Sequence, residues 1–158
     1  MTNDNLSALI SLQALKAANL FASGERTRYY LNGVLVIVAE RHSLYVATNG
    51  HIMLVARHDI DADAPDNSLL GSWIVPKEAI AKVKFRKGET VPGTLTEAAG
   101  QLVITTNTGD AYMARPIDGT FPNWERVCPA AIFPTDPVSR AQFNPEYVGV
   151  FAKAAEAL

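Results

Sequence analysis

One cysteine, three histidines and no long apolar run already exclude several classes of protein. Cys128 stands alone, which rules out an internal disulfide and any Cys-based zinc cluster within one chain. The longest apolar stretch, around Gly33 to Ala39, is far short of the ~20 residues that cross a bilayer, so no membrane partner is expected. Met1 to Asn5 is polar and acidic, with no basic segment leading into an apolar one, so no secretory signal is expected and a reducing, cytoplasmic setting fits. No Gly-x-Ser-x-Gly elbow, P-loop or Gly-x-Gly-x-x-Gly turn occurs. Neither sign of charge dominates: 14 Lys and Arg face 16 Asp and Glu, a net charge of −2. A protein that holds nucleic acid with its whole surface is normally basic, so this chain either avoids nucleic acid or meets it through a local patch.

The scarce chemistry-bearing residues read as structural. His42, His51 and His58 lack the i, i+4 helical spacing of a zinc pair, and His51 adjoins a turn. Asp59-Ile-Asp-Ala-Asp63 resembles the start of a calcium loop. Ala64 stands where such a loop needs Gly, however, and Leu70 where it needs a bidentate Glu. Cys128 has prolines and apolar residues around it and no adjacent base. An enzyme would need a site assembled only in three dimensions. A non-catalytic protein without cofactor or metal is expected.

What is present is a repeat. The 158 residues, 48% of them hydrophobic, suit one folded domain plus a fragment of a second. Three segments begin alike, each a short strand turning directly into an amphipathic helix: Ala8 to Phe21, Ser72 to Phe85 and Arg140 to Leu158. Pro76 suits the first turn of the second helix, while Asn144 and Pro145 read as N-cap and first residue of the third. The first helix is followed by strand-like Arg28 to Ala39, Ser43 to Thr48 and His51 to Arg57, the last two flanking the hairpin signal Asn49-Gly50. The second is followed by Val91 to Thr96, Gln101 to Thr106 and Ala111 to Pro116, with turns at Gly100 and Asn107 to Gly109. The pattern is β-α-β-β-β, written twice.

The third copy stops after its helix. Its expected apolar face is Tyr147, Val148, Phe151, Ala155 and Leu158, and the strands that would cover it are missing, so a truncated unit is expected. The expected organisation is a domain over 1–131 (repeats about 8–60 and 72–118), a proline-rich linker over 132–139 and the start of a following domain over 140–158.

Four motifs then carry a resemblance: Arg28-Tyr-Tyr-Leu-Asn-Gly-Val-Leu35, Leu44-Tyr-Val-Ala-Thr-Asn-Gly-His51, Ile74-Val-Pro-Lys77 and Ile117-Asp-Gly-Thr-Phe-Pro-Asn-Trp-Glu-Arg-Val-Cys-Pro129. In that order they resemble the central domain of the bacterial DNA polymerase III beta-subunit sliding clamp, over roughly Ala8 to Pro129. The resemblance implies an α+β DNA clamp fold: two β-α-β-β-β repeats with an antiparallel sheet and two helices on one face, plus the start of a further strand-helix unit. It also implies a homo-oligomeric ring around duplex DNA that tethers a polymerase. Helices of such a ring line the hole, and loose, non-specific phosphate contact lets it slide, which fits a body of net charge −2.

Residues for two surfaces follow from the resemblance. The first helix offers a polar stripe of Gln13, Lys16, Asn19 and Ser23, and Lys77 to Lys87 holds five basic residues against one acidic. Lys16, Lys82, Lys84 and Arg86 are thereby candidates for phosphate contact, though a basic helix face is ordinarily just solvated. The family's DNA-facing loop maps to Arg26, Tyr29 and Tyr30, and strand alternation would put the two tyrosines on opposite faces. The family's pocket for apolar peptides of polymerases and repair proteins maps to Arg28, Leu31, Thr48, Gly50, His51, Met53 and Pro129. The family pattern there is usually Asp-Gly-His-Arg, and this chain has Asn49-Gly-His-Ile52. Two functions compete: a DNA-encircling processivity factor, or a clamp-fold module that binds such peptides without closing around DNA.

Overall fold

Local chemistry sets the junctions between strands and helices, and pairing between distant strands then decides the architecture. The computed structural model describes residues 6–85, 92–128 and 143–158. Its elements run β1 (Ser7–Ser11), α1 (Leu12–Asn19), β2 (Gly33–Val38), β3 (His42–Thr48), β4 (Met53–Asp59), β5 (Gly71–Pro76), α2 (Lys77–Lys82), β6 (Pro92–Ala98), β7 (Gln101–Thr105), β8 (Ala111–Ala114) and α3 (Pro145–Ala157). Strand, helix and three strands therefore occur twice in succession. Ser11 ends β1 and caps α1, its Oγ accepting from the Ala14 N–H at 3.1 Å. Pro76 holds the same place before α2, where its φ of −58° leads into the helix without a side-chain cap. Asn144 caps α3 by accepting from Glu146 N–H at 3.0 Å, with Pro145 in the first turn.

The strands form two antiparallel four-stranded sheets, in the orders β1-β6-β7-β8 and β4-β3-β2-β5. Each sheet thus takes the last three strands of one repeat and the first strand of the other. Ile10 pairs with Gly93, and Leu35 pairs with both Val46 and Ile74. The exchange interlocks the two repeats into one unit with a shared core. Ile10, Leu12, Leu15, Phe21, Val34, Tyr45, Ile80, Leu95, Leu102 and Ile104 are all essentially inaccessible within it. At its centre the Tyr45 hydroxyl receives the Ser11 N–H at 2.7 Å and lies 2.9 Å from Ser43 Oγ. Burial pushes the Tyr45 phenol up to about 12 against the opposing pull of these hydrogen bonds. Asn67 adds a second polar tie, accepting from Leu9 N–H at 2.7 Å and donating to Ala39 O at 2.8 Å.

Helices α1 and α2 pack side by side and are linked through side chains. Lys16 Nζ donates to Ala81 O at 3.0 Å, Asn19 Nδ2 to Lys77 O at 3.2 Å and Lys77 Nζ to Ala22 O at 3.2 Å. These bonds correct the expected polar stripe of α1: Asn19 and Ser23 are buried rather than solvated. The stripe reading assumed a helix continuing past residue 19, whereas the chain turns there. Helix α2 likewise ends at Lys82.

Three further expectations are corrected. Tyr29–Leu31 is a 3-10 turn and β2 begins only at Gly33, so alternation does not govern the two tyrosines. Asn49-Gly50 does form a hairpin, but its loop runs from Asn49 to Ile52 because the Asn49 Oδ1 captures the N–H groups of both His51 and Ile52. Finally, α3 docks on α1 with a different face from that expected. Ala154 is buried, Val150 and Ala157 pack beside it, and the Phe151 ring meets Phe21 edge-on at 5.0 Å, while Val148, Ala155 and Leu158 stay exposed. The linker over 132–139 and the strand expected before α3 lie outside the described residues. Among the described residues, no helix is long and apolar enough to cross a membrane.

Candidate peptide-binding cleft

The turn at Tyr29–Leu31 and the β3–β4 hairpin face a common cavity of about 470 Å³. Arg28, Leu31, Thr48, Gly50, His51 and Met53, all named from the sequence, line it together. The seventh, Pro129, lies outside the described residues. Local hydrogen bonds fix the hairpin side. Thr48 Oγ1 donates to Ile52 O at 2.7 Å and accepts from Gly50 N–H at 3.0 Å. Asn49 Oδ1 accepts from two backbone amides, so the neutral amide holds the loop as a carboxylate would.

Arg28 forms the rim. Its Nε and Nη2 both donate to Glu25 Oε2, at 2.9 and 2.8 Å, which holds the guanidinium in place. The ion pair is half-exposed and contributes little stability by itself, so its effect is positional. Gly50 has φ +91°, and a Cβ there would collide with Arg28 Nη1. The positive φ is what calls for glycine here, while the space is bounded only by the movable tip of Arg28.

The remaining lining was not assigned to this site from the sequence. Tyr30, Ile52, Phe121, Pro122, Asn123, Trp124 and Val127 complete the cavity. Their signal was present: the stretch from Ile117 to Pro129 was one of the four motifs, but nothing in its spacing revealed that it folds over the hairpin. It reaches the cleft across the outer side of β5, where Ile117 N–H donates to Ile74 O at 2.9 Å. Ile52, which stands where the family pattern has Arg, adds apolar wall instead of charge. The result is an apolar floor with a few polar edges, suited to an aliphatic or aromatic side chain.

The residues expected to touch DNA are elsewhere, with one exception. Tyr30 lines the cleft, its ring edge-on to that of Tyr29 at 5.8 Å. Tyr29 and Arg26 are exposed. Lys82 and Lys84 are exposed at and just beyond the end of α2. Lys16 reaches the same helix end, where its ammonium bonds Ala81 O and partial burial lowers its pKa. Arg86 lies outside the described residues. The Arg41 guanidinium organises the acidic loop: it donates to Ala64 O, Asp61 O and Asp66 Oδ1. Among the described residues, no group of His, Cys, Asp or Glu is placed to hold a metal ion.

Comparison with known proteins decides the family. Residues 6–123 match the family described as DNA polymerase III beta subunit, central domain. The chain belongs to this family. The beta sliding clamp of Caulobacter vibrioides is 33% identical over 143 residues, covering 82% of this chain and 37% of that protein. The beta sliding clamp of Escherichia coli K12 is 28% identical over 116 residues, covering 73% and 30%. Among solved structures, the C. crescentus beta sliding clamp superposes with a TM-score of 0.64 at 27% identity, covering 83% of this chain and 37% of that one. The Thermotoga maritima DNA polymerase III beta subunit gives 0.66 at 18%, covering 82% and 35%, a likeness of fold. The clamp fold inferred from the four motifs is therefore the fold observed. The chain spans about a third of the length of the relatives it matches.

Proposed function

We propose that this chain is the polymerase-tethering part of a sliding-clamp processivity factor, non-catalytic and cytoplasmic, whose full assembly encircles duplex DNA. The observation that carries the reading is the convergence of Arg28, Leu31, Thr48, Gly50, His51 and Met53 on one apolar cleft. Its ligand is a peptide segment of a polymerase or repair protein with a Leu or Phe side chain for the floor. DNA is held loosely and without sequence preference, through Lys16, Lys82, Lys84, Arg86, Arg26 and Tyr29, on a chain of net charge −2. Membership of the clamp family supports the tethering and the homo-oligomeric ring alike.

Met53→Asp tests the tethering. Met53 is only half-buried, so the charge changes the cleft without entering the core. A fluorescein-labelled Leu/Phe peptide should lose its affinity by a factor of about 100 or more in anisotropy titrations, because an unpaired carboxylate replaces an apolar wall. Unchanged affinity would remove Met53 from the site. Helix α3 docked on its own domain favours a second reading, a self-contained peptide-binding module that never closes around DNA. Light scattering separates the two: a closed dimer or trimer of the native gene product supports the ring, and a monomer supports the module.

A further inference from the structure

The two repeats finish their first strands differently. Strands β1 and β5 each lie at a sheet edge, so alternate residues turn their backbone N–H and C=O groups away from the sheet. In β1 these residues are Ser7, Leu9 and Ser11. Their N–H groups donate to Ser68 Oγ at 2.9 Å, Asn67 Oδ1 at 2.7 Å and the Tyr45 hydroxyl at 2.7 Å. The Ser7 carbonyl accepts from the N–H groups of Ser68 and Leu69, both at 2.9 Å. The chain itself thus seals this edge against a further strand.

The matching edge of β5 is sealed only in part. Lys77 N–H donates to Asn32 O, and in the register that follows Val75 and Trp73 bond Val34 and Val36, which turns Ser72 and Ile74 outward. Pro76, next in the row, has no N–H to satisfy. Ile74 O accepts from Ile117 N–H at 2.9 Å. Ser72 is exposed, and among the described residues its N–H and C=O have no protein partner. It lies on a cavity of about 380 Å³ between β5 and the segment Pro116 to Phe121, walled by Leu35, Trp73, Ile117, Thr120 and Phe121. Phe121 is the residue that this cavity shares with the cleft described above.

We propose that this cavity is a second peptide site, in which a short extended segment of a partner protein adds to the open end of β5. A donor and an acceptor side by side on a strand edge match the C=O and N–H of one residue in an antiparallel neighbour. Ile117 closes the edge at Ile74, so the added strand is short and one residue exchanges both bonds with Ser72. The side chain of that residue falls on the face of Ser72 and Ile74, and its two neighbours point to the face of Trp73. The site reads backbone, so it takes an extended run of β-branched residues and not the Leu or Phe assigned to the cleft. It stands whether or not the cleft captures peptides.

The test uses the full 158-residue chain, isotope-labelled for NMR, and the probe acetyl-Thr-Val-Thr-amide. Millimolar peptide should shift the backbone amides of Ser72, Trp73, Ile74 and Thr120. Methylating the Val nitrogen removes the donor to Ser72 O and should weaken binding about fivefold or more. Methylating the second Thr nitrogen, which faces away from β5, should leave binding unchanged. Ser72→Pro deletes the outward N–H without touching the ladder to β2, and should weaken the unmethylated probe by a similar factor. Should that variant fail to fold, the two methylated probes decide the matter on the unaltered chain. No shift at millimolar peptide, or equal binding of both methylated probes, would overturn the proposal. Shifts confined to Thr48 to Met53 would seat the probe in the cleft and overturn it too. So would self-association of the peptide-free chain that Ser72→Pro abolishes, because the open edge would then belong to a second copy.

Discussion

Tyr45 offers a quantitative test of how the cleft is held. It lies on β3, three residues before Thr48, and its hydroxyl links the sheet that presents the hairpin to the junction of β1 and α1. Tyr45→Phe removes one oxygen without changing the ring. The part-buried Ser11 N–H then loses its acceptor, and the buried Ser43 Oγ loses its neighbour. Leaving one buried donor unpaired costs about 1–3 kcal/mol, which lowers Tm by roughly 3–10 °C for a domain of this size. The pH dependence gives an independent check. The folded-state pKa of the phenol is raised from 10.0 to about 12, so the neutral form is favoured by the fold. The associated stability is complete below pH 10 and is lost as pH rises from 10 to 12, amounting to about 3 kcal/mol. Urea unfolding of both proteins at pH 7, 9, 11 and 12 should show the unaltered chain ahead at pH 7 and its advantage shrinking above pH 10. A difference below about 0.5 kcal/mol at pH 7, or parallel alkaline profiles, would refute the argument.

Other expectations concern the cleft, the core and the basic helix end. Gly50→Ala places a Cβ on Arg28 at a positive φ, and should cost about 1–2 kcal/mol and weaken peptide capture, read by thermal unfolding and anisotropy. Asn67→Ala strands the Leu9 N–H and the Ala39 carbonyl, and should lower stability by about 2–3 kcal/mol in urea titrations without altering peptide affinity at saturating fold. Lys82→Glu with Lys84→Glu should weaken the already weak binding of linear duplex and reduce the slope of log affinity against log salt by about two. Nanomolar, salt-insensitive binding of linear duplex by the unaltered chain would contradict loose phosphate contact.

Much of this molecule is legible from its residues because the deciding interactions are local. The double β-α-β-β-β pattern follows from apolar periodicity. The starts of α2 and α3 follow from Pro76, Asn144 and Pro145, whose backbone preferences act within one turn. The four motifs were enough to place the chain in its family, and six of the seven peptide-site residues named from them meet at one cavity. In the run Asp59 to Asp63 and the loop after it, Arg41 supplies the positive charge that the loop folds around.

What the sequence could not decide depends on partners distant along the chain. A period-two pattern says which face of a strand is apolar, never which strand lies beside it, so the exchange of β1 and β5 between sheets appears only in the pairing of Ile10 with Gly93 and Leu35 with Ile74. The apolar positions of α3 identify a stripe of Tyr147, Val148, Phe151, Ala155 and Leu158. Docking takes Phe151 from it, against Phe21, buries Ala154 outside it and leaves Val148 exposed. Tyr30 and Trp124 reach the cleft because a 3-10 turn and a strap across β5 carry them there, and neither device has a strong sequence signature. The chain by itself determined the repeat, the helix starts and the family, since those rest on interactions within a few residues. Tertiary packing alone decided the sheets, the second half of the cleft wall and the position of α3, since those rest on surfaces that meet only after folding.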